Sequence, residues 1–161
     1  MSSTAVTLDY LSRNITGKNA TDDFTIGGKT ISAMKFVYAT EEIGWGSSDN
    51  YDGMVGLNVK SFGNGVNGLM YYLKTQNIVT DQVFGCYLSL GWNDRTSQIT
   101  LGGLYQSKLI DMEWISVLDG ENWGVPITSY SINSHNYSIP VGNVAVFESQ
   151  MNFLINTSTC I

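Results

Sequence analysis

The sequence is poor in the side chains on which most small enzymes build their chemistry. It holds one histidine and two cysteines, Cys86 and Cys160, in 161 residues. Two cysteines so far apart make neither a disulfide scaffold nor a zinc site. The lone His135 has no second histidine with which to share a metal. It lies in the polar run Asn133-Ser134-His135-Asn136, where a solvated turn is expected. No metal and no cofactor are therefore expected. Basic residues are also scarce, with 8 Lys and Arg against 14 Asp and Glu and a net charge of -6. That balance argues against a general nucleic-acid binder, which needs a basic surface. No apolar run approaches the roughly 20 residues of a membrane-spanning helix, so no membrane span is expected. Residues 1–4 are polar, and no apolar stretch of a signal peptide follows them. A protein starting at Met1 is thus expected to stay in the cytosol.

What remains is apolar and glycine-rich. Hydrophobic residues make up 43% and charged residues 14%, the opposite of a disordered chain. Seventeen glycines with only two prolines suit many short strands joined by tight turns. Asn-X-Ser/Thr sequons start at Asn14, Asn19, Asn136 and Asn156. Their number is close to what this composition yields by chance, so they are weak evidence for secretion.

Along the chain, residues 5–11 alternate and are β-branched, as a strand requires. Residues 14–23 are polar and read as a loop. Phe24-Thr25-Ile26, Gly27-Gly28 and Thr30-Ile31 form a hairpin signature, and residues 34–39 are a further strand. The stretch Tyr51-Asp52-Gly53-Met54-Val55-Gly56-Leu57 reads as a buried core strand, with glycines where the chain bends or another backbone comes close. Leu69, Met70 and Leu73 share a helical face, and Asn77 suits the helix end. Strands are expected over residues 83–90, 98–101, 112–118, 127–132 and 144–147. About ten short strands with one or two short helices define an all-β protein.

The order of these pieces is more specific than any one of them. Thr25-Ile26-Gly27-Gly28 precedes Phe36. The Tyr51 to Leu57 motif follows, then Leu73-Lys74-Thr75-Gln76-Asn77-Ile78, then Val83-Phe84 to Tyr87-Leu88-Ser89. Ile99-Thr100-Leu101-Gly102-Gly103-Leu104 and Met112-Glu113-Trp114-Ile115 come next, with Trp123 ahead of a strand ending Ser131-Ile132. In this order the chain closely resembles the middle of the pepsin-like aspartic proteases. The resemblance implies a partial pepsin-like bilobal fold: residues 1–110 as the C-terminal part of the first lobe, and 111–161 as the start of the second.

In that family each lobe donates one Asp from an Asp-Ser/Thr-Gly loop. The two carboxylates share a proton and activate water against a peptide carbonyl. A hairpin flap with a tyrosine near its tip closes over the substrate, and the present chain is expected to begin within or just after it. No Asp-Ser/Thr-Gly tripeptide occurs in residues 1–161. Where the second loop is expected stand Glu148, Ser149, Gln150, Met151 and Asn152. Glu148 takes the place of the Asp, one methylene longer, and Gln150 puts a Cβ where the family has glycine. Glu148 is either a relict catalytic position or a solvated acid at a strand end.

Trp45, Tyr51 and Met54 stand where the resemblance implies substrate-pocket residues; plain core packing is the alternative for each. Asp52 is not a catalytic position of that family, and a local hydrogen bond is its expected role. The resemblance implies an aspartic-type endopeptidase acting on peptides or proteins, secreted or in a vacuole or lysosome. The degenerate loop makes this chain expected to be inactive by itself. The alternatives are a non-catalytic, protease-derived peptide-binding protein and a truncated product with no function of its own.

Overall fold

The computed structural model describes residues 5–10, 13–43, 52–58, 66–89, 96–109, 111–118 and 123–147. The chain divides into two compact units, Met1–Leu57 with Ser61–Met112, and Asn58–Lys60 with Glu113–Ile161.

The first unit is built on three antiparallel strands, β1 (Ala5–Tyr10), β2 (Arg13–Ile26) and β3 (Lys29–Ile43), in the order β1-β2-β3. The sequence reading of residues 14–23 as a loop is corrected here, since all of them lie in β2. Local polarity pointed to a loop, but β2 is the middle strand and its backbone is laddered on β1 and on β3. Those ladders satisfy peptide groups whatever the side chain is. The polar side chains of Asn14, Lys18 and Asp22 remain exposed.

β2 and β3 meet at a two-residue turn in which Gly27 has φ 56° and Gly28 φ 74°. Two positive φ values define the type I′ turn, which matches the twist of the flanking strands. The hairpin is irregular in two places, between Thr16 and Gly17 and between Asp22 and Phe24. At the first, Gly17 is buried against the Tyr38 carbonyl, and a Cβ there would lie 2.7 Å from Val37 Cγ1. At the second, the Ala33 N–H donates to Asp23 Oδ1 at 2.9 Å, and Ala33 takes the left-handed φ of 51°.

Helix α1 (Leu69–Thr75) presents Leu69, Tyr72 and Leu73 on one face, the i, i+3, i+4 spacing of a buried stripe. These three and Ile31 of β3 form the core, with Phe24, Ile26, Met34, Leu57, Met70, Ile78, Val79 and Leu101 packed around it. The helix ends in a Schellman arrangement. Asn77 adopts φ 56° and donates to Lys74 O, and the Ile78 N–H donates to Leu73 O at 2.9 Å. A two-stranded sheet follows, β4 (Phe84–Tyr87) with β5 (Gln98–Leu101), and then one 3-10 turn, Gln106–Lys108.

In the second unit β6 (Gly124–Pro126) pairs with β9 (Val144–Val146). Between them in sequence lies the hairpin of β7 (Ser129–Ile132) and β8 (His135–Ser138). The turn at Asn133 and Ser134 again has two positive φ values, 48° and 67°. His135 is exposed at the start of β8, just past that turn. Residues 112–118 form no strand, against expectation; Leu118 donates its N–H to Gly124 O of β6 at 2.8 Å. No apolar side chain of this unit is buried among the described residues.

Candidate functional site

Tyr51 to Leu57 was expected to be a buried strand. Residues 52–58 instead run as irregular, largely exposed chain. Gly53 has no atom within 4 Å of the place a Cβ would take, so it is not a close-approach glycine. Only Leu57 reaches the core, packing against the cluster of Ile31, Leu69, Tyr72 and Leu73. Two glycines leave the run little side-chain surface to bury, and a strand needs ladder partners as well as apolar residues. Met54 is 39% exposed. Trp45 and Tyr51, the other pocket candidates, lie outside the described residues, as does Glu148.

The end of α1 is tied to the hairpin by a side chain that the sequence showed only as one letter of a motif. Gln76 accepts a hydrogen bond from the Ser32 N–H through Oε1 at 2.9 Å, and donates from Nε2 to the Ser32 carbonyl at 2.7 Å. One carboxamide thus imitates a strand partner for one residue of β3. A second tie runs from the Lys35 N–H to the Tyr72 hydroxyl at 3.3 Å. Together with the cluster around Ile31, these bonds fix β3 on the helix and place Leu57 beside both.

The β1–β2 hairpin closes at Tyr10 opposite Arg13. The polarity of residues 14–23 hides part of this hairpin in the sequence. A signal was present: Val6, Leu8 and Tyr10 alternate on β1, and Ile15 and Gly17 fall opposite Leu8 and Val6 on β2. Period-two patterns on both sides of a polar Ser12-Arg13 describe a hairpin.

The described carboxylates are all peripheral. Asp9, Asp22, Asp23, Glu41, Glu42, Asp52, Asp81, Asp111 and Glu113 are exposed, and no polar or charged side chain is buried among the described residues. A pair of carboxylates that shares a proton requires close approach and restricted solvent. No described carboxylate has that environment. Nor do the described residues hold a group of His, Cys, Asp and Glu that suits a metal ion.

The first unit is thus a long hairpin seated on one short helix in a chain made mostly of strands. The family model for eukaryotic aspartyl proteases matches residues 1–161, and the chain belongs to that family. No curated protein matches the chain closely enough to count as a relative. No helix among the described residues is long and apolar enough to cross a membrane.

Proposed function

We propose that the chain supplies peptide-binding parts of an aspartic endopeptidase cleft and does not cut peptides with residues 1–161 alone. The match of the aspartyl protease family over residues 1–161 carries this reading. The first unit contributes what holds an extended peptide. The β1–β2 hairpin, with Tyr10 beside its turn, acts as the covering flap. Met54, exposed in residues 52–58, contributes with Trp45 and Tyr51 to the pocket beneath it. Residues 1–110 belong to the first lobe and residues 111–161 to the second.

The chemistry explains why binding and cutting separate. Proton sharing needs two carboxylates held by Asp-Ser/Thr-Gly loops. No such tripeptide occurs in residues 1–161. Glu148 follows Phe147, whose N–H extends the β6–β9 pairing by donating to Trp123 O at 3.0 Å. In the family order Glu148 takes the place of the second-loop acid, but it carries an extra methylene. A general acid–base pair displaced by about 1 Å loses roughly 100-fold in rate. The retained role is recognition of an extended peptide, in part by strand addition. The working compartment is extracellular, vacuolar or lysosomal, as is usual for the family.

The test uses the 161-residue chain, a fluorogenic apolar peptide and a pepstatin-type inhibitor, from acid to neutral pH. Saturable binding of peptide or inhibitor without hydrolysis is expected, weakened by Met54→Ala and Tyr51→Ala. Inhibitor-sensitive hydrolysis would overturn the non-catalytic part. Absence of binding by either ligand would overturn the cleft assignment.

A further inference from the structure

The Asn-X-Ser/Thr sequons are the motif that the peptidase reading leaves unused, and the structure separates them. An N-linked glycan is bulky and surface-bound, so its asparagine needs a free side chain and an unobstructed third residue. Asn19 fails this requirement. It is half-buried in the middle strand β2, opposite Val37, and its Oδ1 is shielded from solvent. A sugar on the same carboxamide would crowd this half-buried side chain against its surroundings. Asn14 is exposed, but it too lies in β2, laddered to Asp9 on one side and Ile43 on the other. Asn156 lies outside the described residues.

Asn136 is placed differently. It is the second residue of β8, whose four residues are all exposed, and it follows the tight turn at Asn133 and Ser134. Tyr137, the middle residue of the sequon, stacks on Tyr130 across the hairpin with ring centroids 4.9 Å apart and planes 13° from parallel. Alternation along a strand sends Asn136 and Ser138 to the face opposite that stacked pair. The acceptor amide and the hydroxyl that completes the motif therefore share one open face, held in place by the tyrosines behind them.

We propose that Asn136 is an N-glycosylation site and that Asn19 is not. This rests on the extracellular, vacuolar or lysosomal reading above, because transfer occurs on the way to those compartments. The donor class is an oligosaccharide linked through C1 to a lipid diphosphate. The bond from Asn136 Nδ2 to C1 forms as the C1–O bond to the diphosphate breaks. The lipid diphosphate leaves with the electron pair, and one Nδ2 proton passes to the medium. Nothing is oxidised or reduced.

The full chain is expressed in a eukaryotic host behind a cleavable secretion leader, so that it meets the transferase whatever its native destination. Enzymatic deglycosylation in heavy-oxygen water then marks each used asparagine as a labelled aspartate in peptide mass spectra. The expected result is label at Asn136 in the folded fraction. Asn136→Gln and Ser138→Ala should each remove one gel-mobility step, Ser138→Thr should retain it, and Asn19→Gln should leave the pattern unchanged. Circular dichroism checks that each variant keeps the wild-type fold. Unlabelled Asn136 in the leader-directed chain, or label at Asn19 in the folded fraction, would overturn the proposal. A glycan on the leader-directed chain with none on protein from its native source supports the acceptor assignment and overturns the localisation reading instead.

Discussion

Gln76 offers a sharp test of how the first unit is held together. Its carboxamide makes both of its hydrogen bonds to one residue, with Ser32 N–H at 2.9 Å and Ser32 C=O at 2.7 Å. A neutral hydrogen bond contributes about 0.5–1.5 kcal/mol net, so the pair contributes about 1–3 kcal/mol. Gln76 and Ser32 are both exposed, and water replaces part of what is lost. Gln76→Ala should therefore cost about 1–1.5 kcal/mol, from the lower half of that range. For a chain of 161 residues that is a fall in melting temperature of about 2–6 °C. Gln76→Glu separates hydrogen bonding from side-chain bulk. One glutamate oxygen still accepts from the Ser32 N–H, but the other, when ionised, faces the Ser32 carbonyl with no proton to give. Protonation restores a donor there, so folding favours the protonated carboxyl and raises its pKa above the ordinary carboxylate value. A raised folded pKa means that the native state binds more protons than the unfolded one. The deficit of this variant is then full at neutral pH and shrinks as pH falls through the raised value. Thermal melts of the wild type and both variants, at neutral pH and in mild acid, measure this by difference. A Gln76→Ala melt superimposed on wild type, or a Gln76→Glu deficit unchanged by acid, would refute the reasoning.

Four further substitutions test the rest of the frame. Leu73, only 2% exposed at the centre of the cluster, should cost about 2–5 kcal/mol when cut to alanine, read as a drop in denaturant midpoint at constant slope. Gly17→Ala places a Cβ against the Tyr38 carbonyl and 2.7 Å from Val37 Cγ1, for about 1–3 kcal/mol, whereas Gly53→Ala meets open space and should stay within about 0.5 kcal/mol. Equal effects at the two glycines would contradict the placement of residues 52–58. Tyr72→Phe removes the hydroxyl that accepts from the Lys35 N–H at 3.3 Å; about 0.5–1.5 kcal/mol should be lost, with faster amide exchange at Lys35 as the local readout.

The parts of the fold legible in the sequence are those in which local chemistry and tertiary structure agree. Gly27-Gly28 is a turn on any reading, because two adjacent positive φ values suit glycine best. Leu69 and Leu73 mark the buried helical face, and Asn77 takes the left-handed C-terminal position. Residues 98–101 emerge as strand with the expected bounds. The failures share one cause. β2 is polar, yet it is a strand because neighbours on both sides complete its hydrogen bonding. Residues 52–58 and 112–118 are apolar, yet they are not strands. Side-chain pattern reports what a residue can bury, whereas a ladder depends on a partner that one segment cannot reveal.

The candidate site divides along the same line. The family was legible because the order of many weak motifs is improbable by chance, and order needs no knowledge of packing. The role of a single residue does need it. The glycines of the Tyr51 to Leu57 motif suggested close approach and burial, but Gly53 meets open space, whereas Gly17, Gly85 and Gly102 are the described glycines of this unit that other atoms crowd. Burial instead concentrates where Ile31 meets Leu73, and the Gln76 bonds to Ser32 lock that junction. The scaffolding role thus passes from the motif to β3 and α1. This frees the motif for contact: a Met at 39% exposure, anchored three residues later by Leu57 on the core, retains apolar surface that a peptide can cover. A core strand would have spent that surface on stability. That exposed surface suits the place proposed for Met54 in the pocket, and Met54→Ala should accordingly lower peptide affinity with little effect on the melt.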